Sequence, residues 1–451
     1  MIETTQDCNR FHSENIEGDW IVHVVPIEDG IHPADNTPGI LFIRNVLTGK
    51  TYYYSFNHPD SISKVTDAWF VQEFLLKAKN RIWVLDKKAF HQLIELPYVN
   101  DANLCGFLEN NEILDFSDFE TSAHNLVRRN SSGMGQINKS IPLLKHKEAF
   151  DDMCVNIEKM ISKFTIDDPY TRFNDTIIRT LGKIEKSGIY VDASLFAKHF
   201  KSSPNKKGLV FSQYNVYTST GRPSNRYGGI NYAALNHTDG SRSCFVSRYG
   251  KDGRMVIVDY STFHPRIICN LTKYPLPIET DIYEYLAKLY FQKKEVDETD
   301  IKNAKQLTFR QFYGGVEDKY SHIKYLSNLK IFIDEQWEFF QKNGYVETPI
   351  FKRKITSKHI QDPNPSKVFN YILQAVEGEI AIPQLQFVMD YLKDKKTKLV
   401  LYTYDAALYD FHKNDGLQTL NHIRQVMSCN GMFPMKTYFG NSYHDVHLVS
   451  I

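Results

Sequence analysis

Met255-Val-Ile-Val-Asp259-Tyr-Ser261 is an apolar run that closes on a carboxylate. Such a run reads as a buried strand, and its aspartate stands where a strand delivers a side chain to a sheet edge. Lys398-Leu-Val-Leu-Tyr-Thr-Tyr-Asp405 repeats the pattern, a β-rich stretch terminating in Asp. Two carboxylates brought together by adjacent strands can hold a pair of Mg2+ ions ~3.5–4 Å apart. An aspartate at a strand end also serves as a turn or capping residue, so the pair alone leaves both readings open.

Between the two runs lies Lys302-Asn-Ala-Lys305-Gln-Leu-Thr-Phe309-Arg-Gln-Phe-Tyr313. Lys305, Phe309 and Tyr313 recur every four residues and therefore share one face of a helix. A cation, an aromatic plate and a tyrosine in line suit the triphosphate, base and sugar of one nucleotide. An amphipathic helix with a solvated lysine and two core aromatics has the same pattern.

Farther out, the 451-residue chain exceeds one ordinary domain, and two or three are expected. Hydrophobic residues at 42% and charged residues at 24% give it the means to bury a core. A formal net charge of +1 excludes overall basicity, so a nucleic-acid partner would need positive charge gathered on one face. No apolar run has membrane length and Met1–Arg10 is polar, so no membrane partner is expected. Cys8, Cys105, Cys154, Cys244, Cys269 and Cys429 form no Cys-x-x-Cys pair. That pattern suggests neither a disulfide framework nor a zinc site, and a cytoplasmic setting is the simplest.

In the first part of the chain, to about Phe164, Trp20–Val25, Gly39–Ile43 and Thr51–Ser55 read as strands. Phe70–Ala78 reads as a helix, Arg81–Leu85 as a further strand, and Asn130–Gln136 as a loop. The order suggests a compact α/β domain. From Asn174 a helical segment leads to Ser187-Gly-Ile-Tyr-Val-Asp192 and then to the polar patch Lys201–Gly208.

Taken in order, the later segments resemble the polymerase half of the family-A DNA polymerases, the DNA polymerase I group. Thr218-Ser-Thr-Gly-Arg222-Pro-Ser resembles that family's Thr-Gly-Arg-Leu-Ser stretch along the primer. Asp259-Tyr-Ser-Thr-Phe-His-Pro-Arg266 resembles motif A, and Asp281-Ile-Tyr follows where the family has Asp-Ile-His. The series Lys305, Phe309, Tyr313-Gly314 resembles the fingers helix of motif B. Gly344-Tyr-Val-Glu-Thr with Lys352-Arg-Lys, and Asn370-Tyr-Ile-Leu-Gln374, are similar to the segments that follow it. Tyr404-Asp405-Ala406 takes the place of motif C, and Phe439–His447 resembles the family's ending.

The resemblance covers Leu209 to Ile451 and implies an α+β, right-hand polymerase palm and fingers. It implies that a ribonuclease-H-like α/β domain precedes them, an exonuclease-like unit over 1–164, with a connecting helix and vestigial thumb over 165–208. It further implies that Asp259 and Asp405, joined by the Tyr260 carbonyl, ligate two Mg2+ ions. Lys305 would contact the triphosphate of a dNTP, and Phe309 and Tyr313 would flank its base and sugar. Arg222, Asn370, Gln374 and Tyr404 would meet primer-template DNA, the middle two through minor-groove acceptors shared by all base pairs.

Several positions depart from the family. Ile301 replaces the arginine one turn before Lys305, with Lys302 and Arg310 nearby. Tyr404 and Ala406 replace the His and Glu of motif C, and His264 replaces the sugar-discriminating Glu of motif A. Only about thirty residues separate Asp192 from Arg222, room for one helix and a hairpin rather than a thumb. A processivity or thumb-replacing protein is therefore an expected partner. The first strand, Asp19–Pro26, lacks the Asp-x-Glu of a working exonuclease, and Asp101 and Asp151 read as relics. The expected activity is primer extension without proofreading. The alternatives are an RNA polymerase or primase on the same palm, and a non-catalytic replication factor. The compact, divergent form suits a viral origin, with the host cytoplasm as its setting.

Overall fold

Strand β1, Trp20–Pro26, carries apolar side chains on both its faces, and both are covered. The computed structural model describes residues 18–28, 31–56, 58–60, 82–96, 99–120, 140–162, 169–225 and 229–449. The chain divides into two compact units, one of Met1–Asp167 with Leu181–Lys186 and one of Asp168–Thr180 with Ser187–Ile451.

In the first unit, β1 is joined by β2 (Pro38–Asn45), β3 (Thr51–Ser55), β4 (Ile82–Val84) and β5 (Asn100–Asp101). Helices α1 (Lys87–Leu93), α2 (Ala102–Asn110) and α3 (Leu143–Ile161) accompany them. The sheet order is β3-β2-β1-β4-β5, with β1, β2 and β3 antiparallel and β4 and β5 parallel to β1. This is the ribonuclease-H-like arrangement. Trp20, Val22 and Val24 pack with Leu41, Ile43 and Tyr54 on one face. Ile21 and Val25 pack with Phe42 and with Phe150, Met153 and Ile157 of α3 on the other. Burial on both faces explains why β1 reads as a continuous apolar run and not as an alternating one. The expected helix Phe70–Ala78 and loop Asn130–Gln136 lie outside the described residues.

The second unit opens on α4 (Pro169–Ser187), of which Leu181–Lys186 groups with the first unit. A two-stranded sheet follows, β6 (Ile189–Tyr190) against β7 (Leu209–Val210), with the short α5 (Ala193–His199) between them. Next come β8 (Gly253–Tyr260), α6 (Phe263–Leu271), α7 (Ile282–Phe291), α8 (Glu298–Gly314) and α9 (Lys324–Asn343). A small hairpin, β9 (Tyr345–Glu347) and β10 (Lys354–Thr356), leads to the 27-residue α10 (Pro365–Tyr391). The end of the chain supplies β11 (Lys398–Tyr402), β12 (Ala406–His412), α11 (Gly416–Met427), β13 (Met435–Gly440) and β14 (His447–Val449).

These last strands form an antiparallel sheet of order β11-β12-β8-β13-β14, with β8 at its centre. The expectation for Lys398–Asp405 needs correction here. The run does not end as a strand on Asp405, and β11 does not neighbour β8. Tyr404 adopts φ 71°, a left-handed conformation rare for a side chain of its size. The chain reverses there, Thr403 N–H bonds the Ala406 carbonyl at 2.8 Å, and β12 is the strand that pairs with β8. The edge strand β11 is covered by Tyr214, whose hydroxyl accepts from Tyr402 N–H (2.8 Å) and donates to its carbonyl (3.0 Å).

Candidate active site

The hairpin turn and the end of β8 are latched together. Tyr260 N–H donates to the Asp405 carbonyl at 2.9 Å, and Ala406 lies opposite Asp259 in the ladder. The two carboxylates therefore share one edge of the central sheet. On the other side, β13 sets Lys436 opposite Asp259. Beyond Tyr260 the chain turns sharply through Thr262 at φ 55°, a strained value for a β-branched residue, into α6. The Tyr260 ring stacks on Phe263 at 3.9 Å and fixes that turn.

The electrostatics of the pair follow from this placement. Burial, then the charge of Asp405, pushes the Asp259 carboxyl up to about 7, while Lys436 and Lys305 pull it back. Asp405 is also raised, first by burial and then by the charge of Glu377. A divalent cation would relieve both strains. Among the described residues no cluster of three or more His, Cys, Asp or Glu side chains could hold a metal. Two carboxylates whose remaining coordination falls to backbone, water and substrate oxygens suit Mg2+ rather than a closed protein cage. A cleft of about 540 Å³ opens beside them, lined by Asp259, Asp405, Tyr404, Arg242, His237 and His444.

Helix α8 begins on a capping box, Asp297 with Asp300. It buries Ala304, Thr308, Gln311 and Phe312, and Lys305, the half-buried Phe309 and Tyr313 line the adjoining face. The Phe309 and Tyr313 rings lie parallel, 5.9 Å apart, and Tyr313 is exposed. Lys305 Nζ stands 5.7 Å from the Tyr283 ring, and its charge acts on Asp259. Arg310 is engaged with Glu317 at 2.9 Å.

His264, on the first turn of α6, touches both sides of the site. Its Nδ1 is 2.9 Å from the Tyr313 hydroxyl, and its Nε2 is 2.8 Å from Glu377 Oε2. Glu377 is 1% exposed; it pairs with the Arg222 guanidinium, whose Nε lies 3.1 Å from the same oxygen and whose terminal nitrogen donates to Oε1 at 3.3 Å. The Arg222 guanidinium also lies 3.7 Å over the Tyr404 ring. Asn370 donates to the Tyr313 carbonyl at 3.4 Å, and Gln374 and Glu377 follow one and two turns along α10.

The Thr218–Arg222 turn is built around a buried cation. Arg353 donates to the Thr218 carbonyl at 2.6 Å, and the Thr218 hydroxyl donates to the Arg222 carbonyl at 2.9 Å. Gly221 has φ 71°, and a Cβ there would stand 2.3 Å from Arg353, so only glycine fits. Within the basic cluster that follows β9, Arg353 is thus a structural residue, 2% exposed.

The structure gathers Asp259, Tyr260, His264, Tyr313, Arg222, Tyr404 and Asp405 into one place, with Lys305, Phe309 and Asn370 beside them. Glu377, Lys436, Arg242 and His237 join them without standing in any motif marked by the sequence. For Glu377 one signal was present: a charge three residues after Gln374 within an apolar helical run, on the face of Asn370.

No family model and no curated protein matches the chain. Among solved structures it is similar to the POL domain of Pol1 from M. smegmatis, in complex with DNA primer-template and dNTP. The TM-score is 0.73 at 14% identity, over 98% of this chain and 99% of that one. At that identity the likeness establishes the fold, which is that of a family-A polymerase domain.

Proposed function

We propose that this protein is a template-directed DNA polymerase that extends a primer 3′ end with deoxynucleoside triphosphates. The observation that carries the reading is the juxtaposition of Asp259 and Asp405 on one sheet edge, within reach of the charge of Lys305. The fold likeness to a polymerase domain bound to primer-template and dNTP supports the same substrates.

Asp259, Asp405 and the Tyr260 carbonyl are the residues that would hold two Mg2+ ions. Bound there, the ions supply activation of the primer 3′-hydroxyl and neutralisation of the departing pyrophosphate. The chain's own groups do the rest. Lys305 binds the triphosphate, and Phe309 and Tyr313, stacked on one another, flank base and sugar. Arg222, stacked on Tyr404, meets the primer end, while Asn370 and Gln374 meet the minor groove. His264 fills the space beneath the incoming sugar, where a 2′-hydroxyl would lie, and holds the Tyr313 hydroxyl in place.

The first unit is read as a scaffold without proofreading. Asp101 accepts from the Lys87 and Leu104 amides at 2.9 and 2.8 Å, the role of a cap. Asp151 is bound by Lys147 at 2.6 Å and by Thr51 at 2.5 Å. No described helix is long and apolar enough to cross a membrane, and we place the protein in the cytoplasm. A clamp-like partner is expected to supply the grip of a full thumb.

Extension of a labelled primer with deoxy- and ribonucleotides, in Mg2+, tests the reading. Deoxynucleotide addition directed by the template is expected. Addition of ribonucleotides alone would make it an RNA polymerase, and addition of neither a non-catalytic factor. His264→Ala should lower the preference for the deoxy sugar, measured as the ratio of kcat/KM for a dNTP over its rNTP. An unchanged ratio would take the sugar gate away from His264.

A further inference from the structure

Glu377 is a buried carboxylate in the middle of α10, and the proposed chemistry leaves it without a task. Its partners are specific. Oε2 accepts from His264 Nε2 at 2.8 Å, Oε1 accepts from the Arg222 terminal nitrogen at 3.3 Å, and Arg222 Nε lies 3.1 Å from Oε2 as an ion-pair contact. Each oxygen thus has its own hydrogen-bonded partner, His264 on Oε2 and Arg222 on Oε1, and together they fix the plane of the carboxylate. Arg222 is itself held, between the Tyr404 ring and a turn braced by Arg353. Glu377 therefore has one orientation, and it presents an acceptor to one edge of His264.

That edge determines the other. A carboxylate accepts, so the Nε2 facing it carries hydrogen, and in the neutral imidazole Nδ1 is then the acceptor. In that neutral form Tyr313, 2.9 Å from Nδ1, donates its hydroxyl to the ring. A continuous set of hydrogen bonds runs Arg222–Glu377–His264–Tyr313, from the turn that meets the primer to the helix that meets the nucleotide.

We infer that Glu377 is a positioning residue for sugar selection: it fixes the tautomer and orientation of His264, and through it the Tyr313 hydroxyl. This rests on the polymerase reading and adds to it a residue that acts through another. A solvated ring, free to turn or to exchange tautomers, would exclude a 2′-hydroxyl by bulk alone. A ring locked by Glu377 does so with its hydrogen bonds already committed.

The test is a cycle of wild type, Glu377→Gln, His264→Ala and the double variant. The readout is the ratio of kcat/KM for a dNTP over its rNTP. Glu377→Gln keeps the side-chain volume and is the variant to use where Glu377→Ala does not fold. We expect it to lower the ratio about fivefold, the worth of one hydrogen bond, and to leave it unchanged once His264 is alanine. A merely structural role would lower kcat/KM for both sugars together and leave the ratio alone, which would overturn the inference. An equal fall in both backgrounds would also overturn it. Nitrogen NMR of protein labelled with 15N-histidine reads the same coupling without any turnover. The His264 ring is expected as the Nε2–H tautomer in wild type, with its nitrogen shifts displaced in Glu377→Gln. Identical shifts in the two proteins would refute the coupling, whereas a wild type that adds no nucleotide would refute the polymerase reading.

Discussion

Asp259 shows how much one carboxyl can report. Its ordinary value is 3.8, and burial beside Asp405 raises it to about 7 in the folded, metal-free protein. The folded state therefore holds this proton more tightly than the unfolded one. The resulting stabilisation is complete below about pH 4 and is lost as the pH rises through 7. In chelator at pH 8, Asp259→Asn should raise Tm by about 2 °C or more, and the gain should shrink markedly at pH 5 and vanish only below about pH 4. Addition of Mg2+ should raise Tm for wild type and not for the variant. Calorimetry that found no gain at pH 8, or the same gain at both pH values, would contradict the burial and repulsion described for this site. At this scale the two aspartates, the helix-face trio and His264 were legible, because each sits in a short local pattern. Glu377 showed only as a charge on the Asn370 face of an apolar helix, since its meaning lies in Arg222 and His264, 155 and 113 residues away. The resemblance implies a sugar-discriminating carboxylate at the motif A position. Here an imidazole stands in that position, and the carboxylate stands behind it on α10.

Elements were legible where their pattern is regular and their partners close. The β1–β3 strands and the helix carrying Lys305, Phe309 and Tyr313 follow from periodicity. The split of Lys398–Asp405 into an edge strand and a turn did not, because it depends on the left-handed Tyr404 and on Tyr260 latching the turn. One buried ion pair ties this sheet to its surroundings. Asp410, on β12, is 1% exposed; it accepts from Arg248 Nε at 2.7 Å and from the Ser247 hydroxyl at 2.5 Å. The same Arg248 donates to the carbonyls of Ser187 and Gly188, just ahead of β6. Asp410→Ala removes the acceptor and leaves the guanidinium with no opposing charge. It should cost about 2–4 kcal/mol of stability in urea denaturation, somewhat below a fully buried pair because Arg248 is partly exposed. A loss under about 0.5 kcal/mol would mean that the network is ornamental to the sheet.

At the level of the whole molecule, a net charge of +1 over 451 residues leaves no general attraction for nucleic acid. Binding of primer-template should then depend on a limited set of phosphate contacts and weaken steeply with salt. Few nucleotides should be added per encounter, as a trap for released enzyme would reveal; long products in one encounter would contradict the expected need for a partner. The first unit should release no mononucleotides from a mismatched 3′ end, and metal-dependent release would contradict its reading as a scaffold. The most direct measurement concerns the sheet edge itself: single-turnover primer extension in Mg2+ by wild type, Asp259→Asn and Asp405→Asn, each shown to be folded. The account predicts template-directed dNTP addition by the wild type and its loss, by about a thousandfold or more, in either variant. Extension at the wild-type rate by both variants would contradict it.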